Sequence, residues 1–129
     1  MAERIISDHI PFTANEIMKG DVFVTTTVFP DGFERTFWRV TARTPKYVTI
    51  VALDAKKVEK DGKWVTYPID AIRHTKCYPH GIYDEKSGQF IMQCYVKIDP
   101  KAAPVLTLDK KKTEHARIYD GGLLECMPD

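Results

Sequence analysis

The chain has 129 residues, 43% of them hydrophobic and 29% charged, a length and balance that suit one globular domain and exclude wholesale disorder. Lysine and arginine total 19 against 18 acidic residues, so no whole-molecule field draws nucleic acid or a membrane surface, and electrostatic binding must come from a local patch. Three irregularly spaced cysteines, Cys77, Cys94 and Cys126, and a start without an apolar leader argue against a disulfide-stapled secreted protein. No apolar run approaches the ~20 residues that cross a bilayer, so a cytoplasmic protein with free thiols and no membrane contact is expected.

Thr13-Ala14-Asn15-Glu16 matches the capping-box pattern and Gly20 supplies a stop, which predicts one short N-terminal helix. From Asp21 to Phe29 the chain is rich in β-branched and aromatic residues, a strand signal, and Pro30-Asp31-Gly32 turns it back. On the returning segment, alternation puts Trp38 and Val40 on an inward face. Phe33, Arg35, Phe37, Arg39 and Arg43 fall on the other. Thr44-Pro45-Lys46 is the next turn, and Tyr47 to Leu53, apolar on both faces, completes a meander.

Asp61-Gly62, between Val58 and Val65, is the best hairpin signal, because this pair tolerates the positive φ angles of a two-residue turn. Pro68 to Ile72 reads as a linking stretch, and Arg73 to Tyr83, interrupted by Pro79-His80-Gly81, as irregular strand and loop. Residues 89–98 alternate Phe90, Met92, Cys94, Val96 and Ile98 with Ile91, Gln93, Tyr95 and Lys97, which predicts one strand with an apolar inner face. Short strands are expected over 105–108 and 116–119, with no internal repeat. Many short strands and frequent turns point to a mainly β fold, a strongly bent antiparallel sheet or a small barrel of the SH3-like kind.

Nothing in this pattern amounts to a catalytic signature. His74, Cys77 and His80 come closest to a zinc motif, since imidazole and thiolate are suitable ligands, but Cys94 falls among apolar strand residues, where a free cysteine behaves as a small hydrophobe. No metal or cofactor is therefore assigned; a small metal-binding or nuclease-like hydrolytic protein using those residues is the alternative. The histidines accompany no nucleophile elbow, and no glycine-rich loop precedes a helix.

The stripe Arg35, Phe37, Arg39 and Arg43 carries the main binding expectation, because guanidinium groups beside aromatic faces suit phosphate, nucleic acid bases or an acidic protein surface. The competing account is a solvated face whose arginines pair across strands and cover apolar area with their stems. Tyr78, His80 and Tyr83 surround a turn and form a second candidate binding loop. An exposed strand pairing with its copy would give a homodimer.

Gly20-Asp21-Val22-Phe23-Val24, Phe37-Trp38-Arg39-Val40, Thr44 to Ile50 and the ending His115 to Gly122 occur in this order. In this the chain resembles a group of short proteins encoded by phages, plasmids and other mobile elements, which begin near Gly-Asp-Ile-Phe and close near Trp-Asp-Gly. Their usual Ser-Trp-Gly-Tyr-Asp-Gln-Thr-Asn stretch is replaced here by Thr26 to Phe33. The resemblance implies an accessory protein that binds a host or defence protein, as an anti-defence inhibitor would, without implying an activity.

Overall fold

The computed structural model describes residues 17–75, 81–98, 106–108 and 115–128. The protein is mainly β, a strongly curled antiparallel half-barrel, with no helix among the described residues. The capping box at Thr13 lies outside them. Where the expected helix would end, the chain instead makes a turn, with the Asp21 N–H donating to the Met18 carbonyl at 3.0 Å and the Met18 N–H donating to the Asp21 carboxylate at 2.9 Å. Gly20 supplies a φ of 97° there, a value that costs a glycine little.

Four long strands form the wall. They are β1 (Val22–Phe29), β2 (Gly32–Arg43), β3 (Tyr47–Lys60) and β4 (Lys63–Ile72). They pair as consecutive hairpins, as the expected meander requires. Asp61 (φ 52°) and Gly62 (φ 78°) form the two-residue turn between β3 and β4. Pro68 to Ile72, expected as a link, instead continues β4.

Next come β5 (His74–Thr75), β6 (Ile82–Asp84) and β7 (Gln89–Ile91), which make a small sheet in the order β5-β7-β6. The strand expected over 89–98 is thus broken: β8 (Gln93–Lys97) pairs with β3, whereas β7 belongs to the small sheet. The break falls at Met92, whose carbonyl turns to accept the Ala52 N–H. Finally β10 (His115–Ile118) pairs with β1 and with β9 (Leu106–Thr107), and β11 (Leu124–Glu125) pairs with β4.

The core fills the inside of the curl. Phe23, Trp38, Val40, Val48, Ile50, Val96 and Leu106 bury their side chains in one cluster, and cross-strand register explains the choice, since Phe23 faces Trp38, Val40 faces Ile50 and Val48 faces Val96. The Trp38 indole N–H donates to the buried Thr25 hydroxyl at 3.1 Å, which satisfies the one polar atom of that ring.

Candidate functional site

Phe37 is fully buried rather than displayed beside the arginines, with 0% of its surface exposed. Alternation does place it on the outer face, opposite Leu53, but that face is covered there: the Tyr119 ring meets Phe37 edge-on at 5.1 Å, and the Tyr119 N–H bonds the Val22 carbonyl. Arg43 leaves the stripe for a different reason. A bulge between Val40 and Ala42 shifts the register by one, so that Arg43 pairs with buried Val48 and takes the inner side of the sheet. Its Nε donates to the Ile17 carbonyl at 2.9 Å and its Nη1 to the Thr44 carbonyl at 3.0 Å. Arg39 stays on the outer face and forms an ion pair with Asp70.

Arg35 is therefore the cation of the stripe that faces an open space. β2 pairs with β3 only from Phe37 onward, and beyond a second irregularity at Leu53 to Ala55 β3 pairs with β4 instead. The β1–β2 and β3–β4 ribbons consequently splay apart. A cleft of about 450 Å³ lies between them, and its lining includes Phe33, Arg35, Phe37, Leu53, Lys57 and Arg73.

The C-terminal segment spans the splay. β11 bonds to β4, with Leu124 opposite Thr66, and the Cys126 N–H reaches the Trp64 carbonyl at 3.0 Å. From the other ribbon, Arg35 Nε donates to the Glu125 carbonyl at 2.5 Å. Met127 lies against Gly32, so close that a Cβ there would come within 2.9 Å of its methyl group.

Arg35 completes its bonding with the Thr26 hydroxyl at 3.1 Å, while its guanidinium carbon sits 5.3 Å from the Phe33 ring centre. Both hydrogen-bond acceptors are neutral. Among the described residues neither Arg35 nor Lys57 has a carboxylate within ion-pair distance, whereas Arg73 pairs with Glu34 at 3.5 Å. With Glu34 so engaged and Asp54 the other acid of the lining, the cleft carries an excess of positive charge beside aromatic rings. Such a site holds an anion well, since a guanidinium without a counter-ion keeps its full attraction for one.

The second candidate loop is only partly in view. Tyr83 is exposed on β6 and packs edge-on against Phe90 at 5.6 Å, whereas Tyr78 and His80 lie outside the described residues. Of the metal candidates, His74 is exposed on β5, and Cys77 and His80 again lie outside them. No group of three or more His, Cys, Asp and Glu able to hold a metal occurs among the described residues. Among the described residues no helix is long and apolar enough to cross a membrane.

Lys57, Arg73 and the C-terminal lining residues Cys126 and Met127 escaped the sequence reading as cleft residues, because they come from three separate segments that only the topology unites. The splay itself had one local hint, the change from apolar to charged composition in β3 after Leu53. Comparison with family models, curated proteins and solved structures found no match.

Proposed function

We propose that the protein is a non-enzymatic binding module that takes an acidic segment of a partner protein into the cleft between its two ribbons. The observation that carries this reading is Arg35, whose charge meets only neutral acceptors at the edge of a cleft also lined by Lys57, Arg73 and the Phe33 ring. A volume of about 450 Å³ falls at the lower end of the range for ligand pockets and suits one or two side chains of a partner. The half-barrel would serve as a scaffold of the SH3-like kind, with the splayed strands of its two ribbons lining the binding cleft. The likeness to mobile-element proteins makes a host or defence protein the natural source of the segment.

The test is a titration with a labelled glutamate-tyrosine copolymer. Lys57→Glu with Arg73→Glu reverses two cleft charges without touching the bonds that hold the C-terminal segment. Saturable binding by the native protein, weakened at least about tenfold in the double variant, is expected from the reversal of two charges in the cleft lining. Equal binding by the two proteins, or none by either, would sink the reading.

A further inference from the structure

On the outer face, away from the cleft, β3 and β8 bring Tyr47 and Tyr95 together. Tyr47 pairs with Lys97 and Thr49 with Tyr95, which sets all four side chains on the side opposite buried Val48, Ile50 and Val96. The two rings stack face to face, 4.7 Å apart and within 5° of parallel. Tyr95 nevertheless remains 65% exposed. Since Tyr47 covers one of its ring faces, that exposure comes from the other face and the edge.

A cross-strand aromatic pair stabilises a sheet by itself, by about 0.2–1 kcal/mol, so the stack alone does not argue for a ligand. Its surroundings do. The strand segments 39–43, 47–51 and 93–97 contain no aspartate or glutamate. Lys97 stands exposed opposite Tyr47, and Lys46 is exposed in the turn that opens β3. Among the described residues neither lysine has a carboxylate within ion-pair distance. Thr49 and exposed Gln93 add hydrogen-bonding groups on the same face.

Among the described residues no exposed large aliphatic side chain lies on these strand segments: Val28 and Val58 belong to the ribbons of the cleft, Ile82 to the small sheet, and Met18 and Leu123 precede β1 and β11. A protein partner would want a desolvated apolar centre, whereas a flat ring flanked by uncompensated ammonium groups suits a base with its phosphate.

We infer that the outer sheet face around Tyr47, Tyr95 and Lys97 is a stacking platform for single-stranded nucleic acid. A base would lie on the open face of Tyr95, extending the ring stack, while Lys97 and Lys46 neutralise the adjoining phosphates. The sequence places three arginines and two phenylalanines along one strand; in the fold, the stack and its cations come instead from β3, β8 and the turn between β2 and β3. This site shares no residue with the cleft and does not depend on its occupant.

Fluorescence anisotropy of the full chain with a labelled oligo-dT, at about 50 mM salt, tests the platform. Saturable binding is expected, with Tyr95→Ala weakening it about tenfold or more and Tyr95→Trp retaining it. Lys97→Glu, an exposed change that leaves the stack intact, should also weaken binding and make it less sensitive to salt. Lys57→Glu with Arg73→Glu should leave the platform unaffected. Absence of saturable binding by the native protein overturns the inference. So does unchanged binding in Lys97→Glu, which decides the matter even if Tyr95→Ala fails to fold, and so does capture of a proline-rich peptide at Tyr95 in place of the oligonucleotide.

Discussion

The two faces of the curled wall are both partly buried, but by different means. On the inner face, alternate residues of β1, β2, β3 and β8 meet one another directly, and the register alone decides the contacts of Phe23, Trp38, Val40 and Ile50. On the outer face Phe37, Val51 and Leu53 are equally hidden, yet they stand outside that cluster. Phe37 owes its cover to Tyr119, and the residues beyond it tie the two ribbons together. Strand alternation therefore sorts side chains between faces without saying which face stays wet.

The largest effects should come from the two adjacent aromatic residues that serve opposite faces. Trp38→Ala and Phe37→Ala should each cost about 3–5 kcal/mol in chemical denaturation, since both delete a large buried ring. Trp38→Ala additionally removes the donor to Thr25. Val28→Ala, at 78% exposure, should change stability by less than about 0.5 kcal/mol. If Phe37→Ala proved as mild as Val28→Ala, the outer face would not be a second core and the comparison would break.

How legible this was follows from which contacts are local. The Asp61-Gly62 turn and the inward set Trp38 and Val40 were readable because turn chemistry and a period of two are short-range properties. The fate of Phe37 was not, since its cover arrives from Tyr119, more than eighty positions away. Arg43 was misplaced by a bulge that Val40-Thr41-Ala42 does not announce. The cleft was invisible for the same reason as the cover of Phe37: Arg35, Lys57 and Arg73 share no local pattern, and their meeting depends on where β2 and β3 part.

A smaller effect probes the bridge between the ribbons. Arg35→Ala should destabilise the fold by about 1–2 kcal/mol, because a partly exposed charge-assisted bond is lost. Amide exchange gives the sharper readout: the Cys126 N–H, bonded to Trp64, should exchange faster, while the inner amides of β2 and β3 keep their protection. Arg39→Ala, which removes an ion pair to well-exposed Asp70, should cost less than about 1 kcal/mol and leave the Cys126 amide unchanged. Uniform acceleration of exchange in Arg35→Ala would mean that the C-terminal segment and the inner core open as one unit.

The smallest effect is a pH dependence carried by the cover of Phe37. Burial, and next the neighbouring charge of Asp120, raise the Tyr119 pKa above its ordinary value of 10.0. The Tyr119 hydroxyl also donates to the Gly122 carbonyl, a bond that only the protonated phenol makes. Because the folded pKa lies above the unfolded one, this contribution is fully present below pH 10.0 and is lost as the pH rises through the folded value. The native protein should therefore lose stability in that alkaline window faster than Tyr119→Phe, which keeps the ring on Phe37 but has no proton to release. Urea midpoints followed against pH for both proteins isolate the difference, since the other tyrosines and the lysines titrate in each. Parallel curves would show that ionising Tyr119 does not disturb the outer face, leaving its cover as independent of that proton as the inner core is.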